Sequence, residues 1–154
     1  MGHISVRRTD HTSFTVSDLD RSILFFCEAL DFELISKAGR DPRLIEQITG
    51  VPGAACVTAY VRRADHTVEL IQFLGPDDRQ AVRPRPCDTG FAHLCFVVED
   101  MEAAVTAAGR YHMAPLGPAV AINAGPNKDS LIVYLRDPDG ITIEFIQRPG
   151  LLAA

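Results

Sequence analysis

A stretch in the second half of the chain reads Phe91-Ala92-His93-Leu94-Cys95-Phe96-Val97-Val98-Glu99-Asp100. An altered copy near the N-terminus reads Asp10-His11-Thr12-Ser13-Phe14-Thr15-Val16-Ser17-Asp18. Each copy places a histidine near the start of an apolar run that is typical of a strand, and each run ends at an acidic residue suited to cap a helix. The repetition predicts a duplicated module.

The ends of the two halves also match, as Thr67-Val68-Glu69-Leu70-Ile71-Gln72 and Thr142-Ile143-Glu144-Phe145-Ile146-Gln147. Between the halves, residues 75–89 are rich in proline and charged side chains, which is typical of a linker. A length of 154 residues fits one domain. We therefore predict a single domain over residues 1–154, with module one at about 8–74, a linker at 75–89 and module two at 90–148.

The periodicity of apolar residues predicts the order βαβββ in each module. In module one it predicts a helix after Asp18, a turn at 62–65, and strands at 11–16, 32–38, 54–61 and 66–74. In module two it predicts a helix from Met101 to Ala108, a turn at 136–140, and strands at 91–98, 131–135 and 141–146. Residues 39–53 are expected to form a loop with a helical turn, a candidate lid, and residues 109–125 give no clear pattern. The fold class is α+β, with two tandem modules forming a curved mixed sheet around one cleft.

The composition excludes several classes of protein. With 47% hydrophobic and 23% charged residues and a formal net charge of -5, the chain has no basic patch for a nucleic acid. Four cysteines without metal-type spacing, and no apolar core like that of a signal peptide, favour a reducing cytoplasm. No run approaches the roughly 18 apolar residues of a membrane span. We expect a cytoplasmic protein that acts on a small molecule, with neither nucleic acid nor membrane as a partner.

Strand alternation places four polar side chains on the face opposite the large apolar residues, and these are His11, Glu69, His93 and Glu144. Two imidazoles and two carboxylates that converge in one cleft suit a divalent ion of Zn, Ni, Co, Mn or Fe and leave positions open for substrate. A single histidine or glutamate in a strand is more often a satisfied polar residue. The symmetric placement of the four favours a metal site.

The chain resembles the vicinal oxygen chelate superfamily, which includes glyoxalase I, methylmalonyl-CoA epimerase, extradiol dioxygenases, and fosfomycin and bleomycin resistance proteins. The motifs that carry the resemblance are His11 followed by Asp18-Leu19-Asp20-Arg21-Ser22, Phe25-Phe26, Val68-Glu69-Leu70, Gly90-Phe91-Ala92-His93, and Asp137-Pro138-Asp139-Gly140 leading to Ile143-Glu144-Phe145. The resemblance implies that the four polar residues bind one divalent ion, which chelates two neighbouring oxygens of the substrate.

The glyoxalase-like branch implies an isomerase or lyase that abstracts a proton next to a metal-chelated carbonyl, with Glu144 and Glu69 as candidate bases. We favour Glu144, because it follows the tight turn at Asp137-Pro138-Asp139-Gly140. A homodimer is also expected, and the linker could allow the modules to be exchanged between subunits.

Two departures bear on the substrate. Bacterial glyoxalase I usually has a glutathione-binding arginine where this chain has Thr15, and an asparagine where it has Phe73. Glutathione is therefore not the expected substrate. The predicted substrate-binding residues are Thr15, Phe73, Cys95 and Lys128, although a solvated surface role is the alternative for Lys128.

Two other activities remain open at this point. An extradiol dioxygenase needs two histidines and one carboxylate around Fe(II), which His11, His93 and Glu144 could supply, but Glu69 would then occupy a position needed by oxygen or catechol. A non-catalytic binding or antibiotic-resistance protein is the third possibility. Such proteins often lack the metal ligands, whereas this chain has all four.

Overall fold

A computed structural model describes residues 2–64 and 66–150 of the chain. The chain divides into two compact units, Met1–Arg79 and Gln80–Ala154. The division lies inside the segment 75–89 that the sequence predicts to be a linker. We call the two units module one and module two.

Module one contains a four-stranded mixed sheet and two helices. Its elements are β1 (Thr12–Thr15), α1 (Leu19–Leu24), which continues as a π-helical turn at Phe25–Ala29, β2 (Glu33–Gly39), α2 (Pro42–Thr49), β3 (Ala55–Arg63) and β4 (His66–Gly75). The strand order is β1-β4-β3-β2. Strand β1 is parallel to β4, and the other neighbours are antiparallel.

Module two repeats this arrangement with one strand broken. Its elements are β5 (Leu94–Val97), α3 (Met101–Gly109), β6 (Ala114–Pro115), β7 (Val120–Ala121), β8 (Leu131–Arg136) and β9 (Thr142–Gln147). The strand order is β5-β9-β8-β6, and β7 also pairs with β8. Strand β5 is parallel to β9, as β1 is to β4. The α+β class and the duplicated topology are confirmed, while the single cleft stays a prediction.

The apolar face of each sheet forms the core of its own module. In β4, Val68 and Leu70 are fully buried, and Leu19 and Phe26 of the helical segment are buried with them. In β9, Ile143 and Phe145 are buried, as is Met101 at the start of α3. The alternation predicted for both strands is therefore correct, and it leaves Glu69 and Glu144 on the other face.

The helix that follows the first strand of each module begins in the same way. Asp18 accepts a hydrogen bond from the Arg21 backbone N–H, and Asp100 accepts one from Ala103. In each module a glutamine of the last strand accepts a hydrogen bond from the first residue of the helix, Gln72 from Leu19 at 3.0 Å and Gln147 from Met101 at 2.8 Å. These bonds satisfy backbone donors that a helix leaves free, and they tie the helix to the sheet.

Several predicted boundaries were wrong. Strands β1 and β5 start one residue after their histidines, so His11 and the segment 91–93 lie outside the strands. In the described residues, each of these strands lies at the edge of its sheet. The predicted turn at 62–65 was too long, because β3 extends to Arg63, and the predicted turn at 136–140 was displaced by one residue, because β8 extends to Arg136 and β9 begins at Thr142.

The segment 39–53, predicted to be a loop with a helical turn, contains the regular helix α2 (Pro42–Thr49). Asp41 caps α2 by accepting from the Arg43 N–H, and Pro42 occupies the first turn, where its missing N–H costs nothing. Gly50 ends the helix in the left-handed conformation, with φ at 68°. Whether this segment acts as a lid stays a prediction.

Residues 109–125 contain two short strands that the sequence did not show. Both pair with β8, β6 at Leu135 and Arg136 and β7 at Leu131 and Ile132, so together they take the place that β2 has in module one. Pro115 and Pro118 cannot donate to a ladder, which accounts for the break.

Among the described residues, none of the helices has the length and apolar character that a membrane crossing requires.

Candidate metal-binding and active site

Each module brings together one histidine and one glutamate. In module one, His11 Nε2 lies 3.3 Å from Glu69 Oε2. In module two, His93 Nε2 lies 2.7 Å from Glu144 Oε2. Both glutamate side chains are 13% exposed, and the histidines are 32% and 30% exposed. Each module thus places one candidate histidine next to one candidate glutamate.

The parallel strand pairs create this arrangement. Glu69 stands opposite Ser13 in the β1–β4 register, and Glu144 stands opposite Cys95 in the β5–β9 register. The histidine is two residues before that partner in each case, so its side chain lies on the same face as the glutamate. The same local rule therefore builds both pairs.

A carboxylate orients the first histidine. His11 Nδ1 lies 2.9 Å from Asp10 Oδ2, and this hydrogen bond lowers the pKa of the Asp10 carboxyl below its ordinary value. A histidine that donates from one ring nitrogen to a carboxylate has its other nitrogen available as a metal ligand, and this is the usual environment of metal-bound histidine. The Asp10 contact therefore directs His11 Nε2 toward Glu69 as a candidate ligand.

A tyrosine on the neighbouring antiparallel strand pairs with each glutamate. Tyr60 is the β3 partner of Glu69, and Tyr134 is the β8 partner of Glu144. The Tyr60 ring lies edge-on to His11 with centroids 5.8 Å apart, and the Tyr134 ring lies 4.9 Å from that of His93. Neither tyrosine was predicted from the sequence to lie at the site, although each precedes its glutamate by nine or ten residues across a predicted turn.

The donor set fits a divalent first-row ion. Two neighbouring ligands of a six-coordinate ion, each about 2.1 Å from it, are about 3.0 Å apart. The histidine-to-glutamate distances of 3.3 and 2.7 Å lie on either side of that value. In the part of the chain that the structure describes, no group of three or more His, Cys, Asp and Glu side chains is placed to hold a metal ion. Binding of one ion by all four residues stays a prediction.

Comparison with known proteins gives the family. The profile of the Glyoxalase/Bleomycin resistance protein/Dioxygenase superfamily matches residues 8–145. The chain belongs to this superfamily. The resemblance inferred from the sequence motifs is confirmed, because the match covers both modules.

Two relatives and one solved structure show the range of this superfamily. The chain is 30% identical to a 2-epi-5-epi-valiolone epimerase of an Actinomyces species, over 91% of this chain and 79% of that one. It is also 30% identical to a lactoylglutathione lyase of Arabidopsis thaliana, over 92% of this chain and 44% of that one. The crystal structure of a glyoxalase family protein from Bacillus cereus aligns with a TM-score of 0.82 at 25% identity, covering 97% of this chain and 99% of that one.

Three of the predicted substrate-binding residues lie on the face that carries the candidate ligands. Thr15 is exposed in β1 on the side of Ser13, and Phe73 is half-buried in β4 on the side of Glu69. Cys95 of β5 pairs with Glu144 of β9. Burial and the nearby Glu144 carboxylate raise the pKa of the Cys95 thiol to about 11, so at neutral pH this wall presents a protonated thiol.

Lys128 lies apart from these residues in the chain. It is exposed in the turn between β7 and β8, and its backbone N–H donates to the Gly125 carbonyl oxygen. Among residues 66–150, no hydrogen bond or ion pair joins it to His93 or Glu144. Its assignment to the substrate stays a prediction.

Proposed function

We propose that this superfamily member is a divalent-metal-dependent isomerase or lyase that acts by proton abstraction next to a metal-chelated carbonyl of a small metabolite. In this proposal His11, Glu69, His93 and Glu144 bind one ion, and Glu144 is the general base. Nickel, cobalt, zinc or manganese fits nitrogen and carboxylate ligands of this kind.

One observation carries the proposal. Both modules place a histidine Nε2 and a glutamate oxygen within 3.3 Å of each other on the polar face of the sheet. A chain that used the fold only to bind a ligand would have no need of the same histidine–glutamate pair in both halves. The duplication of the pair therefore favours a shared chemical role.

The side chains have separate tasks in this mechanism. A bound divalent ion supplies Lewis acidity that draws electron density from neighbouring substrate oxygens and makes the adjacent carbon acidic. The Glu144 carboxylate accepts the proton from that carbon as a C–H bond breaks and an O–H bond forms. After this proton has exchanged with solvent, delivery of a proton from Glu144 to carbon completes an isomerisation, and the carboxylate is regenerated. Glu69, His11 and His93 remain in place as ligands.

The names of the relatives agree with this class of chemistry. The Actinomyces relative is an epimerase, and the plant relative is a lyase. Thr15 and Phe73 replace the polar side chains expected of a glutathione site, so the epimerase is the better guide to the reaction. The runner-up reading is a dioxygenase, and metal content separates the two.

Elemental analysis of protein purified without chelator is the first test. Nickel, cobalt, zinc or manganese near one ion per chain would support the isomerase or lyase. Iron would favour the dioxygenase instead, and a protein free of any metal that also fails to take one up would indicate a binding protein.

Proton exchange in D2O is the second test. With 2-epi-5-epi-valiolone as probe, NMR should show deuterium at the carbon next to the carbonyl when the metal-loaded protein is present. Glu144→Gln should abolish this exchange more completely than it reduces metal binding, whereas Glu69→Gln should affect exchange less. An unchanged exchange rate in Glu144→Gln would remove Glu144 from the role of base.

A further inference from the structure

The two glutamates have matched surroundings that differ at one bond. Two residues beyond each tyrosine, an arginine Nε donates to a threonine hydroxyl, Arg62 to Thr67 at 3.3 Å and Arg136 to Thr142 at 3.1 Å. The exposure of the two glutamate side chains is also equal, at 13%. Burial and the second polar pair therefore do not distinguish the two sites.

The tyrosine hydroxyls do distinguish them. The Tyr60 hydroxyl donates to Glu69 Oε1 at 2.5 Å, and this hydrogen bond raises the pKa of Tyr60 above its ordinary value. A bond of this length between a phenol and a carboxylate is of the strong, charge-assisted kind. It occupies Oε1 and leaves Oε2 facing His11 Nε2.

Glu144 has no such bond among the residues that the structure describes. The ring of Tyr134 packs against His93, and burial together with the Glu144 charge raises the pKa of this tyrosine. The near donor to Glu144 is the Cys95 thiol, which stands where module one has Ser13. A thiol is a much weaker donor than a phenol.

We propose that Tyr60 is a positioning residue that fixes Glu69 as a permanent, single-oxygen metal ligand, and that the absence of an equivalent tyrosine bond leaves Glu144 the more mobile of the two carboxylates. The inference rests on the proposed function, since it assigns different tasks to two ligands of the same ion. It explains why a duplicated site contains only one base. The Glu69 side chain, held by the Tyr60 hydroxyl, keeps one conformation. The Glu144 side chain, beside the Cys95 thiol, can change its conformation.

Calorimetric titration with Ni²⁺ tests the inference without any substrate. Tyr60→Phe removes one hydroxyl and keeps the ring, and loss of such an outer partner is expected to weaken metal affinity about 10–100-fold. Tyr134→Phe is the matched control, because it is the same change at the same register position, and its affinity should stay close to that of the unmodified protein. Circular dichroism and thermal unfolding should show both variants folded.

A double-mutant comparison separates positioning from a general structural effect. In a Glu69→Gln background, Tyr60→Phe should cause little further loss of affinity, because the two changes remove one interaction. In a Glu144→Gln background, it should cause its full loss. A purely structural role for Tyr60 would give the same loss in both backgrounds and would overturn the inference.

The outcomes also distinguish this inference from the proposed function. If the unmodified protein binds Ni²⁺ and the Tyr60→Phe and Tyr134→Phe variants have equal affinities, the role of Tyr60 is wrong while the metal site stands. If the unmodified protein binds none of Ni²⁺, Co²⁺ and Zn²⁺, both the inference and the proposed function are wrong.

Discussion

At the scale of single residues, the duplicated pairs are alike in geometry and different in their partners. His11 is oriented by Asp10, and Glu69 is held by Tyr60. His93 and Glu144 lie 2.7 Å apart, with a tyrosine ring and a thiol as neighbours. Equivalent backbone positions therefore carry different hydrogen-bond donors, a phenol beside Glu69 and a thiol beside Glu144.

The substrate-binding residues predicted in module one determine whether glutathione substrates are expected to react. Thr15 and Phe73 offer neither a cation nor an amide to a glutathione carboxylate, so we expect little or no turnover of the methylglyoxal–glutathione hemithioacetal. Initial rates at low substrate concentration check this. Rapid turnover there would show that another segment, such as the one containing Arg40 and Arg43, binds glutathione.

At the scale of elements, a side-chain hydrogen bond ties the last strand of each module to a helix of the same module. Gln72 of β4 and Gln147 of β9 each accept a hydrogen bond from the first residue of the helix that follows the first strand of the same module. Each glutamine is three residues beyond a candidate ligand, on the strand that carries it. A helix that loses this bond also loses part of its attachment to the sheet.

Replacing these glutamines predicts a measurable loss of stability. Gln72→Ala and Gln147→Ala each leave a helix N–H without its partner, and each should lower the free energy of unfolding by about 1 kcal/mol. Urea denaturation measures the change. Gln47→Ala, on the exposed surface of α2, is the control and should change stability far less. Equal effects in all three variants would contradict the role of the strand-to-helix bonds.

The turn before β9 predicts a second stability effect. Gly140 has φ at 94°, and a Cβ there would lie 3.2 Å from the Val82 carbonyl oxygen. Gly140→Ala should therefore cost about 1–2 kcal/mol from backbone conformation, with steric contact adding to it. Gly117→Ala, whose Cβ would meet nothing within 4 Å, is the control for denaturation. A Gly140→Ala variant as stable as the control would show that this turn tolerates a side chain.

At the scale of the whole molecule, the sequence predicted the repeat and its faces but missed one consequence of turn length. A turn at 62–65 would pair Val61 with His66 and set Tyr60 opposite Thr67. The structure pairs Arg63 with His66, which brings Tyr60 opposite Glu69. The turn at 136–140 was displaced by one residue toward the N-terminus, and the structure makes Tyr134 the partner of Glu144.

The reason for these errors is physical. Alternation fixes which face a side chain occupies, and shifts of two residues leave that face unchanged. Alternation was therefore sufficient to assign a sheet face to His11, Glu69, His93 and Glu144. It could not fix the cross-strand partner, which depends on the turn. The broken strand at β6 and β7 was missed because its hydrogen bonds come from β8 and not from local sequence.

Assembly is a separate prediction at this scale. The repeated modules and the linker at 75–89 favour a homodimer in which modules can be exchanged between subunits. Sedimentation equilibrium should give twice the monomer mass across a range of protein concentrations. A monomer mass throughout that range would contradict the prediction.

The central claim is that ligands from both modules bind one ion, and a titration of metal stoichiometry tests it most directly. Calorimetry with Ni²⁺ or Zn²⁺ should give one ion per chain. His11→Ala and His93→Ala should each weaken that single event by orders of magnitude and leave the fold intact, because four ligands hold the ion together. Two independent ions per chain, or either variant binding as tightly as the unmodified protein, would contradict the account.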